Sequence, residues 1–78
     1  MQTIKYIVVM THKPTIGDDL TYYYKGQNKK GENCFGLQKS QAQRFLYKEE
    51  AIRAMTILEV MDLCACDTFS VLPIKCRS

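Results

Sequence analysis

The chain lacks long apolar runs, has a single histidine, and has no glycine-rich loop that opens a helix. No stretch approaches the ~18–20 apolar residues of a membrane span, so we expect no membrane segment. His12 has no serine or cysteine tied to it by a motif, which leaves the residue types of a catalytic triad incomplete. Gly26 and Gly31 flank lysines and do not open a helix, which argues against a phosphate-binding loop. These absences predict a protein that is not an enzyme and has no cofactor.

A strong charge of either sign is also missing. Eleven Lys and Arg residues are balanced against eight Asp and Glu residues, a formal net charge of +3. This excludes a polyacidic mimic of DNA and is too modest to establish a nucleic-acid-binding protein. With 46% hydrophobic and 24% charged residues, the composition is that of an ordinary globular protein. A length of 78 residues leaves no room for a second core, so we predict one domain over residues 1–78.

The first residues do not have the pattern of a secretion signal. The apolar stretch after Lys5 runs only from Tyr6 to Met10, whereas the core of a signal peptide has about 7–15 residues. No small-residue cleavage site follows it. We therefore expect a cytoplasmic protein in a reducing environment.

The four cysteines do not have the spacing of a zinc site. Structural zinc usually takes pairs of ligands at C-x₂-C to C-x₄-C spacing, and this chain has one C-x-C, at Cys64 and Cys66, with no second pair. We interpret Cys34 and Cys64 as small core residues and Cys76 as a thiol near the end of the chain, with no metal bound. In a reducing environment we expect these thiols to be free and not paired in disulfides.

Hydrophobic periodicity predicts four strands and one helix. Apolar side chains occur on both faces of residues 4–10, which is typical of a central strand. Turn residues between 25 and 34 predict a β-hairpin, and Gly36 indicates a bulge in its second strand. Glu49 and Glu50 fit the first turn of a helix. The predicted strands cover residues 4–10, 20–25, 34–37 and 69–74, and the predicted helix runs from Lys48 to about Leu63.

The predicted helix is amphipathic. Its inward face consists of Ala51, Ala54, Met55, Ile57, Leu58 and Met61. On the opposite side, Glu49 and Arg53 have the i,i+4 spacing of an ion pair. Ile52 and Val60 lie among these polar residues and are candidate apolar anchors for a partner.

The order β-β-β-α-β predicts an α+β fold, a mixed four-stranded sheet with one helix packed on one face. A hairpin-connected meander followed by a right-handed crossover gives the spatial order 3-2-1-4, with strand 4 parallel to strand 1. Pro73 cannot donate to a ladder, which favours a sheet edge or a strand end. Because one helix covers only one face, we expect Ile7, Val9 or the tyrosines to remain uncovered on the other face and available to a partner.

The second half of the chain carries a family resemblance. Ala42-Gln43-Arg44-Phe45 is followed by Lys48-Glu49-Glu50-Ala51, an amphipathic helix and a final Phe-Ser-Val-Leu-Pro-Ile strand. Over roughly residues 40–75 this arrangement resembles small accessory proteins of bacteriophages and prophages, although Tyr47 stands where their pattern usually has Thr or Ser. The resemblance implies that Ala42 and Phe45 lie beneath the helix start. It also implies a protein that binds and blocks a host protein in the host cytoplasm, such as an anti-CRISPR protein.

Tyrosines and lysines form the most informative surface pattern. Strand alternation places Tyr23 on the face opposite Tyr22 and Tyr24, and lysines follow at the hairpin tip. Aromatic rings beside cations are typical of single-stranded nucleic-acid binding, and Tyr and Arg are also enriched in protein hot spots. A packed sheet with a polar turn would have the same composition. The candidate partner-binding residues are Tyr22, Tyr24, Lys29, Lys30, Ile52 and Arg53.

Three functions remain open at this point. The leading hypothesis is a non-enzymatic inhibitor that docks on a host protein, because the mixed charge distribution suits protein steering better than phosphate tracking. The second is a small nucleic-acid-binding regulator that uses the basic, tyrosine-rich hairpin. The third is a self-associating module whose uncovered sheet face forms a homodimer.

Overall fold

The computed structural model describes residues 2–61 and 67–77. The elements are β1 (Gln2–His12), β2 (Leu20–Gln27), β3 (Asn33–Gly36), a 3₁₀ turn (Lys39–Gln41), α1 (Lys48–Met61) and β4 (Asp67–Arg77). The predicted α+β fold and its β-β-β-α-β order are confirmed. The 3₁₀ turn was not predicted, and the end of the predicted helix beyond Met61 lies outside the described residues.

The four strands form one sheet in the order β3-β2-β1-β4, so the predicted spatial order is also confirmed. β1 lies at the centre, and β4 pairs with it along its whole length, from Gln2 opposite Arg77 to His12 opposite Asp67. This pairing is antiparallel, as are the other two. The predicted mixed sheet, with strand 4 parallel to strand 1, is therefore wrong.

An additional pass of the chain explains the reversed direction of β4. Between the 3₁₀ turn and α1, Phe45 pairs with Tyr6 of β1 in an antiparallel bridge, in which Tyr6 N–H donates to Phe45 O at 2.9 Å and Phe45 N–H donates to Tyr6 O at 2.8 Å. This segment runs opposite to β1, and α1 then returns towards the other end, where Met61 lies near Met10. The chain therefore enters β4 at the His12 end of β1 and runs antiparallel to it.

The main core lies between the sheet and α1. Its buried side chains are Val8, Tyr24, Ala51 and Leu58, and around them pack Tyr6, Phe35, Phe45, Ala54, Met55, Phe69 and Val71. Four of the six side chains predicted to face inward on α1 are among these residues. Ile57 and Met61 are instead exposed on the flank of the helix.

A second cluster covers part of the opposite face of the sheet. Ile7 and Val9 are buried there with Ala42, and Tyr23 and Ile74 pack against them. The expectation that nothing covers this face is wrong, because Ala42, directly after the 3₁₀ turn, packs there against Ile7 and Val9. Phe45 packs in the helix cluster, as the resemblance implied, whereas Ala42 lies on the side of the sheet away from the helix.

Local backbone features shape the sheet edges. The register of β2 against β3 shifts between Tyr24 and Gly26, so the irregularity lies in β2 and not at Gly36 as predicted. Gly26 has a φ of +97°, a conformation that favours glycine. Pro73 lies opposite Tyr6 in β4, an edge strand, which confirms the predicted edge position. No helix among the described residues is long and apolar enough to cross a membrane.

Candidate functional site

Tyr24 is a core residue and does not belong to an exposed binding surface. Only 6% of its surface is exposed. Its hydroxyl donates to Asn33 Oδ1 at 3.0 Å, and its ring packs against Phe35 with the centroids 5.5 Å apart. Burial raises the pKa of its hydroxyl, and the nearby Cys34 adds to that shift. Tyr24 could have belonged to a binding surface or to a packed sheet, and the structure supports the packed sheet.

The other two tyrosines confirm the predicted alternation. Tyr23 packs in the cluster of Ile7 and Val9, on the face opposite Tyr24. Tyr22 lies opposite Met10 of β1 and is half-buried. The three rings therefore do not form a common stacking surface next to the hairpin lysines.

The hairpin tip holds Lys29 and Lys30 in a turn closed by hydrogen bonds. Asn28 Oδ1 accepts the backbone N–H groups of Lys30 at 2.9 Å and Glu32 at 3.0 Å, and Asn28 O accepts the N–H of Gly31 at 3.0 Å. Both lysine side chains are exposed. The turn presents two cations to solvent, without an aromatic ring beside them.

The two candidate residues on α1 lie apart from the hairpin. Met61, at the other end of the helix, is the residue that approaches the hairpin, through Asn33 Nδ2 at 3.9 Å from its sulfur. Arg53 is eight residues earlier, or about 12 Å along the axis at 1.5 Å per residue. The six candidate residues therefore divide into a buried tyrosine, a half-buried tyrosine, a hairpin pair and a helix pair.

The helix pair belongs to a larger exposed surface, the helix patch, formed by Ile52, Arg53, Ile57 and Val60. The exposed fractions of Ile52, Ile57 and Val60 are 39%, 53% and 78%. Thr56, between them, donates its hydroxyl to the Ile52 carbonyl at 2.9 Å, so that hydroxyl is already hydrogen-bonded within the helix. Sequence periodicity identified Ile52 and Val60 but assigned Ile57 to the core.

Arg53 makes no ion pair with any described residue. The predicted Glu49–Arg53 pair is not formed; within residues 2–61 and 67–77, the one ion pair joins His12 Nδ1 to Asp67 Oδ1 at 2.5 Å. The guanidinium is therefore available beside the exposed side chains of Ile52, Ile57 and Val60.

A basic cleft of about 440 Å³ lies on the face of the sheet away from α1. It is lined by Lys39, Ser40, Arg44, Pro73, Ile74 and Lys75. The sequence signalled this cleft only by the concentration of positive charge between residues 25 and 48. The 3₁₀ turn and the bridge of Phe45 to Tyr6 bring that segment close to β4, and neither was predicted.

A smaller apolar cleft of about 200 Å³ opens beside the end of α1. It is lined by Met10, Asn33, Phe35, Leu58, Met61 and Phe69. Residues 62–66, which connect two of these lining positions, lie outside the described residues.

Two of the four thiols can be placed. Cys34 and Cys76 are unpaired and half-buried, so Cys34 lies at the margin of the core and not within it as predicted. Cys64 and Cys66 fall outside the described residues. Among the residues that are described, no three His, Cys, Asp or Glu side chains are grouped as metal ligands would be.

No protein-family model, curated protein or solved structure matches the chain.

Proposed function

We propose that this chain is a non-enzymatic protein that binds another protein through the helix patch and blocks one of its functional surfaces. The observation that carries the proposal is the exposure of Ile57 and Val60 around Arg53 on a helix that is anchored through Ala51 and Leu58. Arginine and large apolar side chains without partners are typical of the centre of a protein interface.

The helix patch can supply substantial binding energy. Fully burying a side chain such as Val or Ile contributes roughly 1.5–3 kcal/mol, and tenfold in affinity corresponds to about 1.4 kcal/mol. The patch lies on a helix that packs against the sheet, so little backbone ordering is needed on binding. These three side chains and Arg53 can therefore supply part of the binding energy of a complex, which must also offset the entropy lost on association.

The resemblance of roughly residues 40–75 to phage accessory proteins supports a host protein as the target, in the cytoplasm of the host cell. In that case the mechanism is steric: the helix patch covers a surface that the host protein needs, and no chemical step occurs. A CRISPR effector is the sharpest form of this hypothesis. The hairpin lysines, which lie apart from the helix patch, contribute long-range attraction more than contact energy.

A tagged pull-down from nuclease-treated bacterial lysate, followed by mass spectrometry, tests the proposal. The wild-type chain should retain one host protein in stoichiometric amount. The double variant Ile57→Glu/Val60→Glu should lose at least about tenfold of that protein, because charges then replace the buried apolar contacts. Ile16→Glu/Leu37→Glu is the charge-matched control, since these side chains are 89% and 70% exposed outside α1 and their replacement should leave retention unchanged.

Three results would contradict the proposal. Equal retention by the helix variant and the control would show that the helix patch is not the contact surface. Retention only before nuclease treatment would favour the nucleic-acid alternative. An empty pull-down with a mass that rises with concentration in light scattering would favour self-association. Circular-dichroism melts of both variants, expected within about 3 °C of wild type, guard against unfolding.

A further inference from the structure

The basic cleft concentrates cations that have no partner among the described residues. Lys39, Arg44 and Lys75 line it together with the hydroxyl-bearing Ser40. The single ion pair found within residues 2–61 and 67–77 is at His12 and Asp67, so none of these three cations is neutralised by a described carboxylate within 4.0 Å.

Two further lysines extend the positive surface beyond the cleft. The side chain of Lys25 lies close to Gly36 and Gln41. A Cβ atom built on Gly36 would be 2.8 Å from Lys25 Cδ and 3.8 Å from Gln41 Oε1. Lys25 therefore adjoins the 3₁₀ turn that forms one wall of the cleft. On the other side, Lys5 lies opposite Ile74 in the β1–β4 ladder.

The acidic residues lie mostly elsewhere. Glu49, Glu50 and Glu59 belong to α1, on the opposite side of the sheet. Lys5, Lys25, Lys39 and Arg44 thus lie away from the helix acids, whereas Lys75, which pairs with Ile4 on the face of Tyr6, lines the cleft from the edge strand β4. This separation gives the molecule a basic side although its formal net charge is only +3.

The donors in the cleft match phosphate chemistry. An arginine guanidinium presents a planar fork that binds phosphate oxygens in pairs, while lysine ammonium groups act as compact charges and a serine hydroxyl donates one more hydrogen bond. Five cations exceed what one phosphate requires, so a chain of phosphates fits better than a single anion. Pro73 and Ile74 add an apolar wall, and an unpaired strand offers this wall the faces of its bases, which a duplex keeps stacked inside.

We propose that the basic cleft binds the phosphodiester backbone of a single-stranded nucleic acid. This surface differs from the hairpin suggested by the sequence and does not depend on the helix patch. Binding is electrostatic at Lys39, Arg44 and Lys75, with Lys5 and Lys25 lengthening the track.

Fluorescence anisotropy with a labelled oligothymidine of about twelve nucleotides tests the site, because single-strand sites span roughly 4–16 nucleotides. Lys39→Glu/Arg44→Glu is compared with Lys29→Glu/Lys30→Glu at the hairpin tip. Each reversal removes two charges, so both double variants change the net charge from +3 to −1. The cleft variant should bind at least about tenfold more weakly and the hairpin variant less than about threefold, because only the cleft holds phosphates at short range.

Salt dependence gives a second readout. With about three phosphates neutralised in the cleft, the slope of log K against log salt is about −2 between roughly 50 and 200 mM KCl, and it should flatten in the cleft variant. The helix variant Ile57→Glu/Val60→Glu carries two added negative charges, so it is compared with wild type at about 200 mM KCl, where long-range repulsion is screened. Its affinity for the oligonucleotide should then be within about twofold of wild type.

Several outcomes would overturn the proposal. Equal loss in the two charge-matched variants would mean that net charge, not the cleft, drives binding. Equal affinity for a duplex of the same length would remove the single strand as ligand. Displacement by inorganic phosphate but not by chloride at the same ionic strength would assign the cleft to isolated phosphate. Equal displacement by polyglutamate would assign it to an acidic protein, and no binding at low salt would leave it without this function.

Discussion

At the residue scale, Tyr24 connects the core to the hairpin through its hydrogen bond to Asn33. Its pKa lies above the ordinary value of about 10 because the ring is buried and Cys34 is close. The protonated hydroxyl is therefore favoured in the folded state. Below the unfolded pKa this has no effect on stability, and as pH rises through and above about 10 the folded state loses free energy relative to the unfolded chain.

We expect Tyr24→Phe to lower the free energy of unfolding by about 1 kcal/mol at pH 7, through the lost hydrogen bond. Above pH 10 the variant should lose stability less steeply than the wild type, because it no longer carries the buried ionisable group. Urea denaturation on either side of that pH measures both effects. Tyr47→Phe, at an exposed position, is the control; an identical alkaline slope for wild type and Tyr24→Phe would exclude the explanation.

Gly26 offers a second test at this scale. Its φ of +97° disfavours any side chain, and a Cβ atom there would lie 2.7 Å from Gln43 Oε1. Gly31, with a φ of +79°, has open space around it. We expect Gly31→Ala to cost roughly 1–2 kcal/mol from backbone strain alone and Gly26→Ala to cost more. Adding Gln43→Ala to Gly26→Ala should recover the excess, as measured by thermal melts; no recovery would show that Gln43 is not the obstacle.

At the scale of elements, the segment between the 3₁₀ turn and α1 determines the direction of the last strand. Phe45 fixes this segment through its bridge to Tyr6 and its packing in the helix cluster. Phe45→Ala should cost roughly 2–4 kcal/mol, because it removes most of a packed aromatic side chain. Leu46→Ala, at the exposed neighbouring position, should cost less than about 1 kcal/mol. Equal costs in chemical denaturation would mean that this pass of the chain does not hold the fold together.

The same segment marks what sequence periodicity could and could not predict. The strands and the helix have clear alternation or 3.6-residue spacing, and their order and sheet positions followed from it. Residues 38–47 have no such period, so their pairing beside β1 was not predicted, and the predicted direction of β4 was wrong in consequence. The direction of a strand in the sheet depends on every segment that runs from one end of the sheet to the other, including segments without regular secondary structure.

The candidate surfaces divide in a similar way. Turn residues placed Lys29 and Lys30 at the hairpin tip, and helical spacing placed Ile52 and Arg53 outward. Alternation separated Tyr23 from its neighbours but could not tell which face α1 covers, so the burial of Tyr24 was missed. The basic cleft joins residues about thirty positions apart, a contact that only the folded chain creates.

At the scale of the whole molecule, the helix patch and the basic cleft lie on opposite sides of one sheet. The longest pairing in that sheet joins β1 to β4, which are 67 − 12 = 55 to 77 − 2 = 75 residues apart in the chain. Such long separations slow folding, because the chain must close a large loop before the contacts form.

A circular permutant tests this relation. Joining the two ends by a short flexible linker and opening the chain between Ile16 and Gly17 turns β4 and β1 into neighbours in sequence. Only the shorter pairing of β1 with β2, over Val9–His12, then becomes distant. We expect the permutant to fold roughly tenfold faster in stopped-flow experiments, with β-sheet content unchanged. An unchanged rate in a correctly folded permutant would show that closure of the β1–β4 pair does not limit folding.

The pairing of β1 with β4 also sets a waiting time during synthesis. A ribosome adds roughly 5–20 residues per second, so about 3–11 s separate the completion of β1 from the start of its main partner. Throughout that interval the nascent chain carries a strand with apolar side chains on both faces, Ile7 and Val9 on one and Val8 on the other. We therefore expect chaperones to bind the unfinished chain at this first strand. Slower translation should raise the fraction of the protein that aggregates.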